Sequence, residues 1–333
     1  MTPVLSFSEV AITENVRRLN ELSVESRRCW AAALTQVVPI SVLRDVILPV
    51  TKHASCHRIH DAEHLADAGF EQIILTGRVV DTESLGRLRR IAARTQMIAV
   101  IDHFRHAEIL SHCAVQSGCG IQTLIEVDIG RQSTGVRPGP DASLLATATS
   151  HLPGLKVIGV FASAHDHHAE FEHGAVDAQL AAMVTIAEHA LRSIRDVAAE
   201  CREIVVSVPS ARRPSMQDAR IDCLVVSPFL DFADDTPCAT HPPCTTHPPC
   251  ISLIATVISR PTLEWCVINA GTNALGDMSN ARIHAPSGAT IHHSSPETST
   301  LVISGEACDL RIGDQVQLTM RNPERLLNRT RLS

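Results

Sequence analysis

Tyrosine is missing from the chain altogether, and of its 29 lysines and arginines only Lys52 and Lys156 are lysines, leaving 27 arginines. A tyrosine acid or base is thereby excluded, and a lysine Schiff base has two candidates. Aromatic residues make up only 3% and the formal net charge is −7. Neither the basic stripe nor the stacking rings of a nucleic-acid-binding surface are present. No apolar run approaches the roughly 18 residues of a membrane span. The opening segment lacks a basic stretch followed by a long apolar one, so no secretory signal is read there. A cytoplasmic protein without membrane attachment is the expectation. Eleven cysteines, an odd number without a C-x-x-C pair, read as reduced and mostly buried thiols rather than a disulfide framework.

What is present is ample core material. A chain of 333 residues with 44% hydrophobic and 20% charged positions can bury one large core or two modest ones. Short apolar runs at 30–37, 54–58, 72–76, 97–102, 123–128, 157–162, 204–208 and 223–226 read as strands. Helical patterns lie between them, such as the stretch from Asp61 closed by Gly69, the one after Asp81, and a long amphipathic segment over 176–199. Eight β/α units in this span predict a (β/α)8 barrel over 10–236, since such barrels run to about 250 residues. Strand-like segments at 251–261, 264–269, 289–294, 300–305 and 315–320, separated by turn-formers, predict a small all-β domain over 251–333, joined by 1–9.

Between the two lies a six-residue repeat over 237–250 that places Cys238, His241, Cys244, His247 and Cys250 in alternation. In the polyproline II conformation favoured by Pro-Pro, these side chains share one face but stand about 9 Å apart. One zinc needs four ligands at about 2.3 Å or less. The repeat therefore reads as an expanded linker or loop. The run His165, His167 and His168, with His173 nearby, follows a barrel strand, where barrel active sites form. It is either a solvated loop or a source of ligand or catalytic groups, His165 foremost.

Several segments taken together resemble a known family. They are Thr2-Pro3-Val4-Leu5 with Asn15; Asp61-Ala62-Glu63-His64-Leu65-Ala66-Asp67-Ala68-Gly69; Ile125-Glu126-Val127-Asp128-Ile129-Gly130 with Gly135 and Pro138-Gly139; Leu152-Pro153-Gly154-Leu155; and Ala255-Thr256-Val257-Ile258-Ser259-Arg260-Pro261 with Asn269-Ala270-Gly271. In this order, across essentially the whole chain, they resemble the D-threonine aldolase and D-serine dehydratase family. That family shares the alanine-racemase type of barrel with a β domain. The resemblance implies a homodimer, pyridoxal phosphate as cofactor, and lyase chemistry on a small-molecule D-hydroxy amino acid.

The resemblance also assigns roles to positions. The Schiff-base lysine belongs at the end of the first barrel strand. Counting without gaps from Asn15 to Asp61 puts Thr35 there, with Pro39–Ile47 as the following helix. The competing register puts Lys52 there but removes one β/α unit, which a closed barrel opposes. Lys52 then reads as a cation at a helix end, and Lys156 precedes its strand. The ring-contacting arginine is replaced by Ser133, with Arg131 nearby. The glycine-rich phosphate loop becomes Ser207-Val208-Pro209-Ser210-Ala211, where Pro209 removes a donor. Arg212 and Arg213 are left to hold an anion by charge, or to be a solvated pair. The metal-binding pair falls on Asn322 and Glu324. Neutral Asn322 is a poor ligand, so no bound divalent metal is expected.

Three functions follow. The chain is a pseudoenzyme that keeps the fold, a lyase rebuilt around Lys52 and the histidines, or a non-covalent phosphate- or anion-binding barrel.

Overall fold

The computed structural model describes residues 2–130, 133–163, 173–195, 198, 200–208, 218–229, 249–276 and 281–320. The His165 to His168 run, Arg131, Ser210, Arg212, Arg213, most of the Cys/His/Pro repeat, Asn322 and Glu324 lie outside them. Contacts divide the chain into two units. Residues 15–228 form one, and the first fourteen residues with Phe229 and the C-terminal segment form the other.

The chain opens with β1 (Val4–Phe7) and α1 (Glu9–Ser26). The barrel strands follow: β2 (Cys29–Ala33), β3 (His53–Cys56), β4 (Gln72–Leu75), β5 (Gln96–Ile101), β6 (Ile121–Glu126), β7 (Leu155–Ser163), β8 (Glu203–Val208) and β9 (Cys223–Val226). All are parallel neighbours in this order, and β2 pairs with β9 to close the barrel. The predicted fold class is the one observed.

Five helices alternate with the strands: α2 (Ile59–Ala68), α3 (Thr82–Ala92), α4 (Phe104–Ser117), α5 (Pro140–Ser150) and α6 (His173–Arg195). Their starts follow local chemistry. Asp81 accepts a hydrogen bond from Ser84 N at 2.8 Å at the head of α3, satisfying a donor that a helix start leaves unpaired. Proline in the first turn of α5 gives up no hydrogen bond there. Ala31, Ile74, Val100, Leu124, Phe161, Val205 and Val225 pack as one cluster, the interdigitated layers that fill a barrel of this size. Strands β7 and β8 approach so closely at Gly159 that a Cβ would stand 2.0 Å from the Glu203 carbonyl oxygen.

Two expectations are corrected. The first barrel strand ends at Ala33 rather than residue 37, because the chain turns through Thr35, whose carbonyl accepts from Val38 N at 3.2 Å. The helix expected over Pro39–Ile47 is present but winds as a π-helix at Val42–Ile47. Val42 and Ile47 are both buried and five residues apart, the spacing that a wider turn brings to one face. Lys52 therefore does not end a helix.

The second unit is an antiparallel sheet of β10 (Ile251–Ser259), β11 (Trp265–Ile268), β12 (Ala281–Ala285), β13 (Ala289–Ser294), β14 (Ser299–Ile303) and β15 (Gln315–Met320). The order is β12-β15-β10-β11-β14-β13, and β1 also pairs with β10. Strand β12 was not predicted.

Candidate functional site

In a parallel barrel the loops that follow the strands converge at one mouth, where barrel active sites form. Three neighbouring strands deliver charge there. Arg78 follows β4, Asp102 follows β5, and Glu126 ends β6. The Arg78 guanidinium donates to Asp102 through Nε at 3.1 Å and Nη2 at 2.8 Å. The same Nη2 donates to Glu126 Oε2, and Nη1 donates to the Thr76 carbonyl at 2.6 Å. Thr134 Oγ1 donates to the other Glu126 oxygen at 2.8 Å, and Gly135 N donates to Asp102 Oδ2 at 3.2 Å.

Burial alone would push the Asp102 carboxyl up. The Arg78 hydrogen bond and charge, with the Gly135 N–H, outweigh it and hold the group below the usual carboxylate range. Burial also disfavours the charged Arg78, yet its bonds to Asp102 and Glu126 keep its pKa raised. Gly135 has φ +104°, and a Cβ there would meet Asp128 N at 2.6 Å. Only glycine brings that N–H to the carboxylate.

A shallow cleft of about 50 Å3 opens beside this network, lined by Glu126, Val127, Asp128, Ile129, Ser133, Thr134 and Ser163. Ser133 is thus in the cleft, exposed. Ser207 is buried within β8, one residue before that strand ends. His106 lies buried on α4, with neither ring nitrogen partnered among the described residues. Burial first, then the Arg78 charge, lower its pKa to about 4, so it is neutral near pH 7.

The two lysines are elsewhere. Lys52 is exposed and immediately precedes β3, and Lys156 is exposed near the start of β7, 3.1 Å from Glu200. Both stand at the N-terminal ends of their strands, opposite the mouth that holds Arg78. Thr35, two residues past the end of β2, is at the mouth. Its Oγ1 is buried without a hydrogen-bond partner among the described residues. Beside it Gln36 N donates to buried Asp61 Oδ1 at 2.8 Å. Among the described residues, no group of three or more histidine, cysteine, aspartate or glutamate side chains is arranged to hold a metal.

The Arg78 network went unnoticed in the sequence. An arginine after Gly77 carries no motif, and its partners are 24 and 48 residues away.

Residues 8–204 match the alanine racemase, N-terminal domain family, more than half of the chain. The chain belongs to that family. Over 118 residues it is 27% identical to a D-threonine aldolase of Arthrobacter sp, covering 35% of this chain and 30% of that protein. Over 176 residues it is 23% identical to a 3-hydroxy-D-aspartate aldolase of Paracoccus denitrificans, covering 51% and 45%. These matches span less than half the length of either curated relative. In overall fold it is similar to the D-threonine aldolase from Filomicrobium marinum, with a TM-score of 0.86 at 20% identity over 99% of this chain and 90% of that one. It is also similar to the D-threo-3-hydroxyaspartate dehydratase from Delftia sp. HT23, with a TM-score of 0.76 at 15% identity over 97% and 90%. The alanine-racemase-type fold inferred from the sequence motifs is therefore the fold this family member has. No helix among the described residues is long and apolar enough to cross a membrane.

Proposed function

We propose that this chain is a degenerate paralogue of the D-threonine aldolase and D-serine dehydratase lyases. It keeps their fold and, as a cytoplasmic homodimer, acts by binding or by partnering an active relative. The observation that carries this reading is Thr35. A hydroxyl, buried and without a partner among the described residues, stands where the resemblance requires a Schiff-base lysine, and threonine forms no imine.

Both lysines of the chain are exposed at the opposite end of the barrel strands. A lysine side chain reaches about 6 Å, whereas even the four-residue β3 that follows Lys52 spans about 13 Å at about 3.3 Å per residue. The residues present therefore do not fit a covalently held pyridoxal phosphate, and no step is derived through it. Arg78, the cation at the mouth that an anion would meet, is already engaged by two carboxylates. The reading that uses Lys52 as a rebuilt anchor has no support from its position.

The test is turnover of D-threonine and D-serine with added pyridoxal phosphate and a divalent metal. The wild type is expected to show none above the uncatalysed rate. Turnover that disappears in Lys52→Ala would overturn the proposal in favour of the rebuilt lyase.

A further inference from the structure

The N-terminal mouth of the barrel holds a second cluster of reactive groups, at the end opposite Arg78. Barrel closure pairs β2 with β9 and sets Cys29 directly beside Cys223. Both side chains join the interior cluster, so they point the same way. Adjacent strands lie about 4.8 Å apart, inside the Cα–Cα span of about 4.4–6.8 Å that a disulfide bridges. Cys29 is half-buried and Cys223 is buried. From β3, His53 Nδ1 stands 3.2 Å from Cys29 Sγ.

The surroundings favour charge separation. A hydrogen bond from Cys223 is the largest influence lowering Cys29. Burial opposes it, and the His53 hydrogen bond and charge add to it, bringing the thiol to about 5. His53 is raised in turn, chiefly by its bond to Cys29, against burial, with the charges of Cys29, Glu71 and Glu203 assisting. Asp222 and Lys156 also act near the cluster, raising and lowering Glu203 respectively. The Cys29 bond, and then burial, keep Cys223 a protonated thiol.

We propose that Cys29 and Cys223 form a reversibly oxidisable pair, in which Cys29 reacts with a hydroperoxide and Cys223 closes the product to a disulfide. The Cys29 thiolate attacks one peroxide oxygen and the O–O bond breaks. The departing oxygen takes the His53 proton and leaves as water or alcohol, while Cys29 becomes a sulfenic acid, oxidised by two electrons. Cys223 Sγ then attacks that sulfur, the S–S bond forms, and the hydroxyl leaves as water with the Cys223 proton. A dithiol reductant reverses the change. The pair is independent of the fate of the C-terminal mouth.

Exposed Cys308 is an internal reference for the test. At pH 6 a thiol at about 5 is roughly 300-fold more ionised than the free amino acid's thiol at about 8.5, and its lower intrinsic nucleophilicity returns a factor of about 25–55. Iodoacetamide at pH 6 is therefore expected to label Cys29 about tenfold faster than Cys308 in the wild-type protein. Hydrogen peroxide is expected to remove two hydrogens and yield a Cys29–Cys223 cross-linked peptide, localised by fragmentation and reversed by dithiothreitol. In Cys223→Ser the product is expected to stop at a sulfenic acid that dimedone traps on Cys29. Labelling of Cys29 no faster than Cys308, or peroxide treatment that oxidises Cys308 without forming the Cys29–Cys223 link, would overturn the proposal.

Discussion

Replacing Arg78 by methionine keeps most of the side-chain volume and removes the charge that joins Asp102 to Glu126. Asp102 and Arg78 keep about a fifth of their side-chain exposure, at 21% and 23%, and Glu126 keeps 9%. Truncating one partner of a buried ion pair costs about 3–5 kcal/mol, because the survivor stays charged and desolvated. The partial exposure of two members puts the expected loss near the lower bound, about 3 kcal/mol. In a unit of this size that lowers Tm by about 6–12 °C. The pH dependence has a definite sign. Asp102 is held below the usual carboxylate range by Arg78, so its stabilisation is complete above its unfolded value of about 3.9 and disappears as pH falls through the lowered folded value. The deficit of Arg78→Met is therefore expected to shrink between pH 7.5 and about pH 3, as the Asp102 carboxyl takes up its proton. Adding Glu126→Gln to Arg78→Met is expected to recover part of the loss at pH 7.5. Thermal unfolding followed by circular dichroism at the two pH values measures both effects. A Tm within about 2 °C of wild type at pH 7.5, or a deficit that does not change with pH, would refute the electrostatic account of this mouth.

His106→Leu removes a buried imidazole whose ring nitrogens have no partner among the described residues. The folded protein resists protonating His106 down to about pH 4, whereas the unfolded chain takes up that proton near 6.5. Wild-type stability is therefore lost as pH falls from 6.5 to 4, by about 3 kcal/mol relative to the leucine variant. Urea titrations at pH 7.5 and pH 4 are expected to show the variant gaining on wild type by that amount, and parallel curves would contradict the assignment. Gly159→Ala places a methyl 2.0 Å from the Glu203 carbonyl. Backbone on both sides leaves no room to yield, so a loss of about 3 kcal/mol or more is expected, read as a lowered urea midpoint. A loss below about 1 kcal/mol would show that β7 and β8 are less tightly apposed than described.

Elements with one-sided chemistry were legible in the sequence. Runs such as Ile73-Ile74-Leu75 and Met97-Ile98-Ala99-Val100-Ile101 are buried throughout, as strands of a parallel sheet covered on both faces must be, and the eight barrel strands follow from such runs. Strand β12 escaped because it sits at the end of the sheet order and is largely unburied. Its Arg282 and His284 interrupt any apolar signal. The π turn at Val42–Ile47 escaped because its buried positions also suit an ordinary helix over so short a span. The Arg78 network and the Cys29, His53 and Cys223 cluster were illegible for a different reason. Each joins residues from separate strands, and only the order and register of the closed barrel bring them together. Thr35 was legible only through the resemblance, which supplied the position to inspect.

Both lysines of this chain stand away from the mouth where the family's chemistry would occur. The most direct measurement is borohydride trapping of the wild-type protein incubated with equimolar pyridoxal phosphate, followed by peptide mapping, with Thr35→Lys treated in parallel. The wild type is expected to show no aldimine absorption band and only trace, non-saturating modification of Lys52 and Lys156, while Thr35→Lys acquires a reducible adduct at residue 35. A stoichiometric adduct at Lys52 in the wild type, accompanied by an aldimine band, would contradict it.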